Sequence, residues 1–425
     1  MDKSLLIRIL KKEMEQSTGC TDPGAVCLAV SRAAREMKKP ADKVKITVSP
    51  NVYKNGVCVG IPGTGKQGLH MAAALGLVID RSEAGLAILS FVTPETIDEA
   101  NRILASGNIR VDYMETPDPL YIKAELFNDQ ETASTLIMND YSNITEVTYN
   151  GNIILSSSSL SADETEDYLK EYSLELLFKV IDSMSFDDLK FLLDYALMNK
   201  TAAETGLHDE NMKLGSTLKE YAPTFKAPYS IVNKAQTLTA AAGEARMQGL
   251  LVPIMAIAGS GNHGITNFLG VLAVAEDLGS TEEQLAKALA ISSTVTIYIK
   301  GYIRRMTAFC GCAVAAATGV AAATVYLLGG TYEQSVDAMQ TEIGTLAGMF
   351  CDGAKESCAY KLSTATSMAI QFAYLAMNGC HITSGAGIVG NTIEDTFYNL
   401  GQLNNPGMVE TDHVIVKLIE RNFKR

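Results

Sequence analysis

Tryptophan is absent from the 425 residues, only five are histidine, and aromatic residues make up 7%. The histidines (His70, His208, His263, His381 and His413) show no pairing at ligand spacing, which speaks against a zinc site. Lysine and arginine form no run to offset a net charge of −13, so the surface repels phosphate backbones and anionic lipid, and nucleic acid is not an expected partner. Residues 1–15 mix charge with leucine and isoleucine as an amphipathic helix does. They lack the unbroken apolar stretch and small-residue cleavage site of a signal peptide, so a cytoplasmic protein is expected. Phe309 to Gly330 carries no charge for 22 residues, long enough to span a bilayer. It is mainly alanine, glycine and cysteine and has no companion stretch, so a buried, closely packed helix is expected and no membrane partner. Neither an internal repeat nor a low-complexity tract is present.

What the chain does contain is 47% hydrophobic and 20% charged residues, a composition that folds around a large buried fraction. Its length exceeds one ordinary core, so two domains are expected, 1–180 and 181–425. The fold class is α+β: a small α+β domain followed by a larger all-helical domain. Between Val44 and Leu155 the runs VKITVSP, GVCVGIP, GLAILSFV, IRVDY, LYIKAEL and ITEVTYNGNIIL read as strands, with tight turns at Asn55-Gly56 and Asn150-Gly151. Helices interrupt at about 65–77 and 95–105. After Ser161 only helices are expected, with start signals at Ser185 (Asp188 three residues on), Ser280 (Glu283) and Thr331 (Gln334). Helices at 236–258, 309–328 and 359–377 are rich in small residues that let backbones approach closely.

Gly60 to Gln67, GIPGTGKQ, imitates a phosphate-binding loop and fails at its last position, where Gln67 replaces the hydroxyl that would hold magnesium. It reads instead as a glycine-rich strand-to-helix turn. In STGCTDP, Asp22 suits the N-cap of a helix and Pro23 its first position, which puts Cys20 just outside a helix N-terminus, where the dipole lowers a thiol pKa and favours thiolate. The alternative is a small buried residue, the reading given to Cys27. Further cysteines gather at Cys310-Gly311-Cys312 and from Cys351 to Cys358, and Cys380 ends a helix. In a reducing compartment these are core residues, catalysts or metal ligands rather than disulfides, and spacing alone leaves core filling open. A cluster held by three thiolates would leave one iron open as a Lewis acid. The polar turn Gly259 to Gly264 could bring Asn262 and His263 to such a site, or be a helix break capped by Ser260.

Together, STGCTDP, GTGK, GSGNHG, FCGCAVAAATG and CDGAKESC resemble the iron-sulfur L-serine dehydratase superfamily, specifically its L-cysteine desulfidase branch, over nearly the whole chain. The resemblance implies a 4Fe-4S cluster on Cys312, Cys351 and Cys358, with Cys20 as proton acceptor. It implies β-elimination of L-cysteine to pyruvate, ammonia and sulfide without pyridoxal phosphate. Ser17, Thr18, Asn262 and His263 are the candidate substrate-binding residues. The serine-specific relatives carry a histidine two residues after the basic residue of their TGK-like turn; Gly68 stands there, so no role passes to His70. L-Serine dehydratase and a non-catalytic redox sensor share the ligands and are the alternatives. A small amino acid is the expected partner, and a homo-oligomer is compatible with the sequence.

Overall fold

The computed structural model describes residues 1–116, 118–157, 166–221 and 230–423. The chain opens with α1 (Lys3–Lys12), β1 (Met14–Thr18) and α2 (Thr21–Ala34), followed by β2 (Lys43–Val48), α3 (Pro50–Gly56), the short β3 (Gly60–Ile61) and β4 (Lys66–Gln67), α4 (Leu69–Val78) and α5 (Pro94–Ala105). Next come β5 (Ile109–Tyr113), β6 (Tyr121–Phe127), β7 (Thr132–Met138), β8 (Ile144–Tyr149) and β9 (Asn152–Ser156). They build a six-stranded mixed sheet in the order β5-β2-β6-β7-β8-β9, in which β2 and β5 are parallel and the other pairs antiparallel. Along β6, Ile122, Ala124 and Leu126 are buried in alternation with half-buried neighbours, and α2 packs on β6 and β7. Asn150 and Gly151 both take positive φ, as the expected hairpin between β8 and β9 requires.

Several local expectations give way. GVCVGIP contributes only the two-residue β3, and GLAILSFV lies in a 3₁₀ stretch, Ser82–Phe91, whose Leu86, Ile88 and Leu89 are buried and which packs on α2 and β1. Short apolar runs do not distinguish a strand from a buried turn of helix. Asn55-Gly56 closes α3, which Pro50 starts at its first turn, instead of forming a hairpin. The expected end of the strands at Ser161 lies outside the described residues.

The helical part comprises α6 (Glu166–Leu169), α7 (Leu174–Asp182), α8 (Phe186–Leu189), α9 (Phe191–His208), α10 (Leu214–Tyr221) and α11 (Ser230–Gln248), then a strand, β10 (Pro253–Ile257), where helix was expected to run to 258. It continues with α12 (Gly261–Leu278), α13 (Glu282–Ile303), α14 (Ala317–Leu327), α15 (Tyr332–Leu346), α16 (Ser357–Met377), α17 (Ile393–Gln402) and α18 (Val409–Phe423). Ser185 and Thr331 cap their helices with Asp188 and Gln334, as expected; α13 starts from Thr281 with Gln284, one residue beyond the anticipated Ser280. The uncharged stretch from Phe309 folds as a π-helical turn, Cys312–Ala316, continuing into the buried α14, and among the described residues no helix is long and apolar enough to cross a membrane. One core lies around α2, α4 and the sheet. The other fills the helical part and also takes in Leu6, Ile9, Leu10 and Met14 of the N-terminal segment.

Glu342 sits fully buried in α15, and among the described residues neither carboxylate oxygen has a hydrogen-bond partner. Burial holds its carboxyl well above the ordinary 4.5. Above the unfolded carboxyl's pKa of about 4.3 the native state binds the extra proton, so this group lowers stability as pH rises. Glu342→Leu is therefore expected to stabilise the protein by about 1–3 kcal/mol at about pH 8, and by less at about pH 5. Thermal unfolding of both proteins at both pH values checks this; a Tm for Glu342→Leu below that of wild type at the higher pH contradicts it.

A candidate active site where distant thiols meet

β1 pairs antiparallel with β10, from Met14 opposite Ile257 to Thr18 opposite Pro253, which carries the following Gly19-Cys20 against the helical part. Gly19 turns the chain at φ 73°, and a Cβ there would lie 2.4 Å from Pro62 Cγ, so only glycine fits. Cys20 is itself the N-cap of α2, while Asp22 and Pro23 lie within the first turn, which corrects the expected capping by Asp22. The thiol behaves opposite to expectation too. A helix N-terminus offers at most about 2 kcal/mol to a negative charge, whereas full burial can shift a pKa by up to about 3–5 units. With Cys20 only 3% exposed, burial, and after it the Asp22 carboxylate, push its thiol up to about 12.

Asp22 is the hub of this corner. It accepts hydrogen bonds from Tyr141 Oη at 3.1 Å, Asn55 Nδ2 at 3.4 Å and the Cys20 thiol at 3.6 Å, and burial raises its carboxyl to about 6. Tyr141 comes from the β7–β8 connection and Asn55 from α3, so the sheet region and α2 converge on one carboxylate.

The other cysteines arrive from two segments joined by an antiparallel bridge between Phe309 and Phe350. The Cys310 amide donates to Met349 O at 2.8 Å and the Cys351 amide to Ala308 O at 2.7 Å. Cys312 opens the π-helical turn, a geometry frequent at functional sites, and Cys358 lies in the first turn of α16. Asp352 tethers the second segment through Lys361 Nζ at 2.5 Å and through Lys355. The adjacent Cys312 thiol draws Cys310 down to about 7, and the pairing with Cys310, then burial, pushes Cys312 up.

Cys20, Cys310, Cys312, Cys351 and Cys358 line one cleft, together with Asn262 and His263. All of these cysteines are free thiols. His263 Nδ1 donates to Ile257 O at 3.2 Å, and its Nε2 faces Gly311, where a Cβ would come within 2.3 Å. Burial, then the charge of Lys300, lowers this imidazole to about 3, so it is neutral at physiological pH. Ser17 and Thr18 are buried on β1 and do not line the cleft; Thr21 does. Cys27 is buried within α2 and Cys380 is exposed after α16, both away from the cleft.

Among the described residues, no three or more His, Cys, Asp or Glu converge on a point that would hold a single metal ion. A cluster makes a different demand, because each thiolate binds its own iron and the sulfurs need not share a centre. Thiols spread around a cleft fit that requirement.

Sequence reasoning missed Asn55, Tyr141, Arg246, Lys300 and Arg305, all of which line the cleft. They are single residues from separate elements and form no motif; an arginine within the alanine-rich TAAAGEARMQ was the one available signal. Arg305 is paired with Glu13 Oε2 at 2.8 Å and Asp140 Oδ2 at 2.9 Å. GIPGTGKQ proves to be the β3–β4 hairpin, with Lys66 and Gln67 exposed and the Gly63 amide bonded to Gly249 O at 2.9 Å. It braces Gly19 and the end of α11, and the expected passage from strand into helix is made through this hairpin, α4 starting at Leu69.

A family model of the serine dehydratase alpha chain matches residues 83–417. Over the whole length, the UPF0597 protein of Methanocella arvoryzae is 52% identical across 419 residues, 99% of each chain. The UPF0597 protein of Clostridioides difficile is 37% identical over 97% of this chain and 98% of its own, and that of Alkaliphilus oremlandii 38% over 98% of each.

Proposed function

Since the chain belongs to the serine dehydratase alpha-chain family, we propose that it is an iron-sulfur lyase that eliminates sulfide from L-cysteine to give pyruvate, ammonia and sulfide. The observation that carries this reading is the meeting in one cleft of Cys20 with free thiols from two remote segments. Cys312, Cys351 and Cys358 are the residues that would hold a 4Fe-4S cluster. Bound there, it supplies Lewis-acid chemistry toward the leaving group.

The protein's own residues handle the protons. Cys20 Sγ takes the α-proton of the substrate, and its own proton must first pass to a neighbour; Asp22 Oδ2, which already accepts from the thiol, is the group in contact. Tyr141 and Asn55 hold Asp22 in position. As the Cα–H bond breaks, its electron pair forms the Cα=Cβ bond and the Cβ–S bond breaks, leaving aminoacrylate, which water converts to pyruvate and ammonia. Asn262 and His263 belong to the walls against which the amino acid is oriented.

Cysteine is favoured over serine by the state of His263. A departing hydroxide needs a proton, and a neutral, buried imidazole supplies none as imidazolium. Protein purified without oxygen is therefore expected to show a clearly higher kcat/KM for pyruvate and sulfide from L-cysteine than for pyruvate from L-serine under identical conditions. A preference for serine assigns the chain to dehydration, and turnover of neither favours a redox sensor.

A further inference from the structure

We infer that Arg246 is the anchor for the substrate's α-carboxylate. It stands near the end of α11, is 2% exposed and lines the cleft. Its Nη1 donates to Asn262 Oδ1 at 3.0 Å, while among the described residues its Nε has no hydrogen-bond partner. Gly261 makes way for it, since a Cβ there would fall 2.4 Å from Nε. The other two cations on the wall are engaged: Arg305 with two carboxylates, and Lys300 through a hydrogen bond to Arg305 O at 3.0 Å. A buried guanidinium with an idle N–H is strongly unfavourable unless an anion completes it, and its planar fork matches a carboxylate.

The position is productive as well. Arg246 lies within electrostatic reach of Cys20, Asp22 and His263. A carboxylate held on it puts the α-carbon one bond away, within a cleft that Cys20 also lines. Asn262, bonded to Nη1, fixes the guanidinium plane. The choice of an amino acid as ligand rests on the lyase reading; the anion site itself rests on the geometry.

The test uses anaerobically purified, cluster-loaded protein and L-alanine, which keeps the carboxylate and amine and lacks a leaving group. Calorimetry is expected to show that Arg246→Gln weakens L-alanine binding by about 50-fold, the scale of one charge-assisted hydrogen bond, with KM for L-cysteine rising in parallel. Arg246→Lys, which keeps the charge and loses the fork, is expected to recover part of the affinity. Binding of cysteamine, which has no carboxylate, is expected to change little, and iron content and the visible spectrum to stay as in wild type. Unchanged L-alanine affinity in both variants overturns the inference, as does loss of iron in Arg246→Lys, which would make Arg246 a counter-charge to the cluster. If wild type turns over no amino acid yet binds L-alanine through Arg246, the lyase reading fails and the carboxylate anchor stands.

Discussion

Cys358→Ala, purified without oxygen, is expected to be colourless, with essentially no iron or acid-labile sulfide and no turnover, whereas Cys27→Ala and Cys380→Ala keep the brown colour of wild type. In the metal-free protein, burial, and then the neighbouring Cys351, push the Cys358 thiol up to about 11. That thiol is an unfavourable place for charge until a cation neutralises it, and metal binding displaces its proton. Alanine at 358 removes the cleft thiol that α16 carries; Cys310, Cys312 and Cys351 are tied to the Phe309–Phe350 bridge and the π-helical turn, and Cys20 to the N-terminus of α2. Cys27, by contrast, is packed inside α2, and Cys380 is exposed beyond the far end of α16. Iron and sulfide assays on the three variants check the assignment. Full iron content in Cys358→Ala would remove it from the ligand set, and loss of iron in Cys310→Ala but not Cys312→Ala would exchange those two.

Cys20→Ala is expected to do the reverse: colour and iron stay, and kcat for L-cysteine falls by about 10²–10⁴, the usual contribution of a positioned base. The side chain is small, and its loss leaves Gly19, the start of α2 and the Tyr141–Asp22–Asn55 hydrogen bonds in place. Its thiol is buried against the Asp22 carboxylate, which is in place to accept the proton it must release. Loss of iron in this variant would make Cys20 a ligand and require another base. Near-normal turnover with full iron would exclude it from proton transfer.

How much of this was legible in the chain depends on what kind of information each residue carries. The period-2 runs of β2, β6 and β8, the capping pairs Ser185–Asp188 and Thr331–Gln334, and the Asn150-Gly151 turn are local signals, set by backbone sterics and hydrogen bonds within a few residues, and the structure contains them all. GLAILSFV failed because a short apolar run reads the same in a strand and in a half-buried turn of helix, and GVCVGIP because Pro50 had already committed the preceding residues to a helix.

By itself, the sequence determined the α+β class, the helical character of the larger part, and the cysteines and Gly-rich turns from which a site could be drawn. Only the tertiary structure decided which of them meet. The pairing of β1 with β10 brings Cys20 to the thiols of the helical part, and the arrival of Tyr141, Asn55 and Arg246 from three other elements gives the cleft its polar walls. It also decided the sign of the Cys20 shift. The helix dipole can be read from a few neighbouring residues, but desolvation is set by everything that packs over the sulfur, and that sum does not exist until the distant segments have closed around it.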